Sequence, residues 1–428
     1  MAKVLFILLL LLSVNFFNCI PVQDSINVPA LRQLLGVVLF VTCFPLLLER
    51  RKVFFKNEYI LILISYVMCS ISSFLLYQQS PYESIKSVAD FVFALSLYLF
   101  AIKYNFSEEF IFKVLLFISL TFLVIHVAQQ FTYPFYLFCG RVEMEGQKTV
   151  EIRMGLYRFV ISGVWLCVLC LSMLYQRIIE KRQWIIYFTL FVIVFMCILI
   201  NLERKVIFSC FAALTITTLI IGKTISFRTI LFSIFLIWAI NEVLGYTSDL
   251  NTQTQEELSD SNFVRYVSMR YFLLEMNDSP LFYLFGSGLP GDSELGDLIK
   301  RMQVMYGLHQ EDIGIFGYIS RTGLFGFVCF FLIFYKVLKH RKEVNKGLFL
   351  FVLMMIIVCP FKFLGNTEAN MSSFAVFLYL IDCSVRKLRS HGVLYRRIPI
   401  REKYEFEKVE DSKNVKYEIL KKHCNTSY

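Results

Sequence analysis

SNFVRYVSMRYFLLEMNDSPLFYLFGSGLPGDSELGDLIKRMQVMYGLHQEDIGIFGYISRTGLFG, residues Ser261–Gly326, closes the longest polar interval of the chain and leads back into an apolar run. The interval extends from about Thr247 to Glu311. It holds Arg265 and Arg270, the turn cluster Gly286-Ser287-Gly288-Leu289-Pro290-Gly291, and His309 beside Glu311 and Asp312. Charge, turn residues and a lone imidazole together are what a site needs. The rest of the chain reads as a helical scaffold that holds this loop over a bilayer.

Outside the interval the chain is apolar. Of its 428 residues 57% are hydrophobic and only 18% charged, with a mean hydropathy of +0.62; soluble domains carry about 25% charged residues. Apolar runs of roughly 17 to 24 residues recur from end to end, each long enough to cross about 30 Å of hydrocarbon as a helix. In lipid the backbone must satisfy itself, and the runs lack the alternation of barrel strands, so helices are favoured. The expected fold class is an all-α polytopic membrane protein. About twelve spans follow from length, near 1–20, 30–48, 58–77, 86–102, 110–133, 157–176, 184–202, 206–222, 229–246, 313–335, 347–364 and 371–385. Residues 1–20 start like a signal peptide, but Asn15-Phe16-Phe17-Asn18 offers no small-residue cleavage site, so an uncleaved span is expected. One transmembrane domain, 1–385, would include the loop 247–311; a basic tail, 386–428, would lie partly disordered on the membrane surface.

Lys and Arg outnumber Asp and Glu by 43 to 33, a formal charge of +10. Most of the surplus sits in short loops and in the tail, the pattern that topology demands, so no nucleic-acid partner is expected. Arg50, Arg51, Lys52 and Lys56 follow the second span; Arg177, Lys181 and Arg182 follow the sixth. Lys223 and Arg228 follow the eighth, Lys336 to Lys346 the tenth, and Lys387 to Arg401 the twelfth. These even-numbered exits share one side, the cytoplasm, with both termini. The alternate loops at 21–29, 77–85 and 365–370 carry no Lys or Arg, and the loop 247–311 falls outside with them.

That orientation leaves some cations out of place. Arg141, Lys148, Arg153 and Arg158 precede the sixth span on the external side; Arg204 and Lys205 emerge there too. Arg265, Arg270, Lys300 and Arg301 lie in the large loop, and Lys362 near an outer helix end. Arg321 falls about nine residues, roughly 13 Å, inside a span. An ionisable group at membrane depth is costly unless paired, and is a functional candidate by default. Together these cations suggest an anionic ligand at the outer surface. The plainer reading is ion pairing for assembly, with Glu203, Glu242, Glu275 and Asp312 as partners.

Most of the twelve cysteines fall inside spans, where they act as small packing residues; Cys139 alone lies in an external loop. No spacing suggests zinc, so neither a metal site nor a disulfide framework is expected. Ser261 is a plausible N-cap for a helix over 262–276. On it Arg265 and Arg270 point about 140° apart, so one binds a ligand and the other pairs or snorkels. The segment 285–291 lacks a phosphate-loop context and reads as a rigid turn. His309 and Asp312 stand three residues apart, close enough for one helical face. A lone histidine at a span boundary is often structural, but beside a basic cluster an imidazole can shuttle a proton.

The ordered pattern resembles the O-antigen polymerase and O-antigen ligase superfamily of membrane glycosyltransferases. Arg204 heads the run Arg204-Lys205-Val206-Ile207-Phe208. Arg265 stands some fifteen positions before Pro280, with Gly286-Ser287-Gly288 after it. His309 precedes Asp312, Gly323 and Gly326, and Arg153-Met154-Gly155 resembles the family's earlier loop. The resemblance covers roughly residues 150–330. The sequence departs from it at Glu203 and Lys205, where small residues are usual, and at Asp312, where many members carry an amide. The resemblance implies a fold of the GT-C type in a bacterial inner membrane. It implies an undecaprenyl-diphosphate-linked oligosaccharide as donor, no cofactor, and flippase and chain-length regulator proteins as partners beside membrane lipids. Arg204, Arg265 and His309 would be catalytic: arginine forks hold the departing diphosphate and His309 activates the acceptor hydroxyl. Arg153, Arg158, Lys205, Arg270 and Arg321 would assist at the diphosphate, and Tyr266 and Tyr271 would stack on sugar. A polymerase of repeat units is expected first, a ligase that moves finished polysaccharide to a lipid core second. A lipid-linked oligosaccharide flippase is the competitor from another class, and would show related halves and broken helices.

Overall fold

A computed structural model describes residues 1–16, 27–49, 53–135, 138, 150–153, 156–159, 162–180, 183–201, 203–221 and 263–396. In chain order they form α1 (Ala2–Ser13), α2 (Val28–Cys43), α3 (Pro45–Leu48), α4 (Lys56–Tyr77), α5 (Pro81–Tyr104) and α6 (Glu108–Thr132). A two-stranded hairpin follows, β1 (Val150–Arg153) and β2 (Leu156–Phe159), then α7 (Val164–Glu180), α8 (Trp184–Ile200) and α9 (Arg204–Ile221). Next come α10 (Val264–Arg270), continued by a π turn over Tyr271–Glu275, and α11 (Pro280–Phe285), α12 (Glu294–Tyr306), α13 (Gly314–Lys339), α14 (Lys346–Val358) and α15 (Glu368–Arg396). Contacts divide the chain into Met1–Asp382 and Cys383–Tyr428.

Among the described residues, five helical segments are long and apolar enough to cross a membrane: Val28–Leu48, Lys56–Tyr77, Pro81–Tyr104, Glu108–Thr132 and Gly314–Lys339. The chain is thus a mainly helical multi-pass membrane protein. The expected span at 229–246 lies outside the described residues, as do Cys139, Arg141, Lys148, Glu242 and Ser261. Elsewhere the expectations need correction. A span starting at 157 is replaced by the antiparallel hairpin, in which Arg153 pairs with Leu156 and Glu151 with Arg158, and the helix starts only at Val164. This short hairpin interrupts an otherwise helical chain. Gly163, with φ of +100°, sits between hairpin and helix. The helix expected over 347–364 stops at Val358, and the last described helix runs on to Arg396.

Each helix starts for a local reason. The side chains of Asn27, Ser80, Ser107 and Asn345 each accept a backbone N–H of the first turn, which satisfies one of four otherwise orphaned donors. Pro at the first turn of α2 and α5 costs no bond there. The interior is built around α7 and the first half of α15, where Trp165–Leu174 and Ala369–Ile381 are buried on every face. Peripheral helices keep an apolar stripe on the outside, such as Leu324, Val328 and Phe331 on α13; a stripe at helical spacing facing outward is what lipid accepts. Buried serines at 65, 96, 119, 172 and 209 donate back to carbonyls three or four residues earlier. A small polar residue can thus sit between close helices without an unpaired hydroxyl.

Side-chain bonds sort the described turns of Met1–Asp382 into two ends. At one end Lys336 pairs with Glu58 and Arg177 with Glu109 at 2.8 Å, and Asn345 donates to Glu108. The loop that carries α10 to α12 lies at the other end, with the 78–80 turn, the hairpin, and the first residues of α9, α13 and α15.

Candidate functional site at the loop-bearing end

The polar loop is held to the bundle by its backbone. Helix α13 breaks at Gly323, which adopts φ of +67°, and the break releases the carbonyls of Ser320 and Arg321. The N–H groups of Ser287 and Gly288 donate to those two carbonyls at 2.8 and 2.9 Å. A Cβ at Gly286 would stand 2.3 Å from the Arg321 carbonyl, and one at Gly323 would stand 2.2 Å from the Leu284 carbonyl. Both positions also have positive φ, so the two backbones meet only where both residues are glycine. Gln79 extends the clamp by donating to the Leu289 carbonyl at 2.9 Å and accepting from Gly291 N–H and Ser293 Oγ. Segment 286–291 is thus a seated turn whose N–H groups at 286, 287, 288 and 291 donate to protein acceptors.

Below it Arg321 is 5% exposed. Its Nε donates to Gln310 Oε1 at 2.8 Å and its Nη1 to the Asn366 carbonyl at 2.7 Å, while Nη2 lies 3.5 Å from Glu311 Oε1. Gln310 donates onward to Ser320, and Asn366 to the Gly314 carbonyl. Arg321, expected to assist at the diphosphate, thus directs its guanidinium at protein acceptors. The guanidinium is committed to three protein acceptors and fixes the 309–313 turn against the start of α13. His309 and Asp312 lie in that turn, with Asp312 N–H donating to the His309 carbonyl at 3.2 Å, rather than on a helical face. The His309 ring is half-buried and, among the described residues, has no hydrogen-bond partner.

Three elements bring cations to the same place. Arg204 and Lys205 form the first turn of α9, whose N-terminus adds the positive end of a helix dipole. Lys205 Nζ donates to the Phe361 carbonyl at 3.0 Å and lies 3.6 Å from Asp312 Oδ1. Arg265 on α10 is near enough to repel Lys205 electrostatically. Lys205 stands at the extreme end of its helix, outside the five long spans. Burial there pushes its ammonium below the ordinary lysine value, Asp312 pulls it back up, and Arg265 adds to the depression. Lys362 is matched by Glu203 at 2.5 Å. Arg204 is exposed, and the Arg265 guanidinium lies over the Phe263 ring, 5.6 Å from its centroid. Neither guanidinium has a carboxylate partner among the described residues. The arrangement can receive an anion, with fork donors from two helices and an imidazole three residues from the Lys205 partner.

Other expected members stand apart. Arg270 is 74% exposed and pairs with Glu275 at 2.6 Å. Arg153 and Arg158 lie on the hairpin, held to α6 by Gln130, which both donates to and accepts from the Tyr157 backbone. Lys300 and Arg301 are exposed on α12, and Tyr266 is exposed beside Arg265. Among the described residues no group of His, Cys, Asp and Glu has the geometry of a metal site.

One buried cluster escaped the sequence reading. Arg32 on α2 is bidentate to Asp90 of α5 at 2.8 and 2.9 Å, and its Nη1 reaches Glu368 at 3.3 Å and also bonds Asn15. The rule for charges at membrane depth that singled out Arg321 applies equally to Arg32 and Asp90. Glu368 lies two residues past Asn366, so the start of α15 joins both networks. No family model and no curated protein matches the chain.

Proposed function

We propose that this chain is a membrane glycosyltransferase that joins undecaprenyl-diphosphate-linked oligosaccharide repeat units into a surface polysaccharide at the periplasmic face of a bacterial inner membrane. The observation that carries the reading is the convergence of Arg204–Lys205, Arg265 and the His309–Asp312 turn, three segments distant in sequence, at one end of a membrane bundle. A lipid-linked diphosphate has its charge at that level and its chain in the bilayer. Arg265 and Arg204, unopposed by carboxylates, bind its phosphate oxygens and stabilise the diphosphate as it leaves. Lys205 adds a desolvated positive charge. His309 takes the proton of the acceptor hydroxyl that attacks the anomeric carbon. The sugar–phosphate bond breaks as the new glycosidic bond forms, and undecaprenyl diphosphate departs. The likeness to the polymerase and ligase superfamily supports the same assignment.

The broken helix α13, with Arg321 buried beside the break, favours a second reading as a lipid-linked oligosaccharide flippase. Against it, the freed carbonyls are capped by the loop and Arg321 is bonded to Gln310 and Asn366, so the break seats a loop rather than opening a path. Purified protein in vesicles with a synthetic undecaprenyl-diphosphate oligosaccharide separates the two. The glycosyltransferase yields a ladder of longer products that Arg265→Ala abolishes. Movement of donor across the vesicle without a longer product overturns the reading. Transfer of finished chains to a lipid-core acceptor, without laddering, makes the protein a ligase.

A further inference from the structure

The loop has an outer face that its own core does not explain. Helix α12 buries Leu295 and Ile299 against Phe272, Leu308 and Ile313. Away from that core it carries exposed Lys300 and Arg301, and its last turn exposes Val304, Met305 and Tyr306, which are 69%, 69% and 60% exposed. The helix ends at Gly307, which lies against Val264 of α10. Val264, Tyr266 and Val267 extend the exposed apolar surface onto that helix. Six large apolar side chains from two helices thus form a patch rimmed by Lys300, Arg301 and Arg265.

The level of the patch follows from its neighbours. Arg265 is within electrostatic reach of Lys205. Lys205 in turn touches Asp312, just before α13, and Phe361, just after α14. Three helices therefore end where the patch begins, and in a bundle that crosses a bilayer that level is the boundary between water and lipid. Tyrosine concentrates at such boundaries, and basic residues beside an apolar helix face bind anionic headgroups. We propose that α10 and the last turn of α12 form an interfacial anchor, inserted among the headgroups of an anionic phospholipid surface. Lys300 and Arg301 contact phosphate, and the apolar tip enters the upper acyl region. The anchor fixes the depth at which Arg265 sits. It stands whether or not the glycosyl-transfer reading does.

The test uses the full chain with Met305→Trp or Val304→Trp, reconstituted in vesicles of phosphatidylethanolamine and phosphatidylglycerol. Emission is read as the difference from the unsubstituted protein. Both positions face outward, so either substitution is tolerated, and two positions guard against one misfolding. The expected result is blue-shifted emission, quenched at least twofold by phospholipid brominated high in the acyl chain and little by aqueous iodide. Lys300→Gln with Arg301→Gln weakens that quenching when phosphatidylglycerol is present. Quenching by iodide with none by brominated lipid overturns the proposal. Protection from both quenchers also overturns it, because the face would then be covered by protein.

Discussion

Arg265 and Arg270 stand on one short helical stretch and meet different environments. Arg270 is exposed and spent on Glu275, whereas Arg265 is half-buried beside Lys205 and faces no carboxylate among the described residues. An exposed ion pair contributes about 0 to 1 kcal/mol, so Arg270→Ala changes transfer less than threefold. Arg265→Ala and His309→Ala should each lower transfer at least a hundredfold, with the protein still in the membrane fraction; rates on purified variants check this. Lys205 provides a pH test. Because burial lowers its pKa, its charge is lost at a lower pH than that of an ordinary lysine. Affinity for a soluble probe such as farnesyl diphosphate therefore falls as pH rises through that value, and Lys205→Met removes the step. Arg204 and Arg265 stood out in the sequence because each is a cation where topology disfavours one, and His309 because it is a lone imidazole beside that basic cluster. The spending of Arg321 on Gln310 and Asn366 was not, since those partners lie on other turns and nothing in their spacing points to Arg321.

Among the elements, the clamp between the 286–291 turn and α13 decides where the loop sits. The glycine cluster announced a rigid turn, but not its seat, which depends on a helix break at Gly323 whose carbonyls only a tertiary partner can satisfy. Gly323→Ala places a Cβ into the Leu284 carbonyl and strains φ. Such strain costs on the order of 1 to 3 kcal/mol before the clash is counted. Arg321→Met leaves Gln310 and the Asn366 carbonyl without their donor, a loss of about 3 kcal/mol for a broken buried charge network. Both variants should show lower thermal midpoints in detergent, while Glu294→Ala, on an exposed helix start, leaves the midpoint unchanged. The start of the span expected at 157 was misplaced for a related reason. Tyr157 and Phe159 are apolar enough to extend a span, and Gly163 marks the place just before the helix begins.

For the whole molecule, the sequence supplies an expected sidedness, because Lys and Arg record which loops stay on one side. Five of about twelve expected spans stand on length and composition among the described residues. Shorter helices such as α1, α8 and α14 carry the apolar character without the length. The buried tie from Arg32 to Glu368 stayed hidden because it joins the second helix to the last. Single cysteines at Lys342 and Asp292 should react with an impermeant maleimide from opposite faces of the membrane, and labelling from one face would refute the two-ended arrangement. The central claim is that the Arg204–Arg265–His309 end joins repeat units. Its most direct test is a gel profile of surface polysaccharide from a strain lacking the protein, beside strains restored with the wild type or with His309→Ala. The account predicts a single repeat unit on the lipid core in the deletion and in His309→Ala, with a full ladder restored by the wild type. A full ladder in the deletion strain, or in His309→Ala, would contradict it.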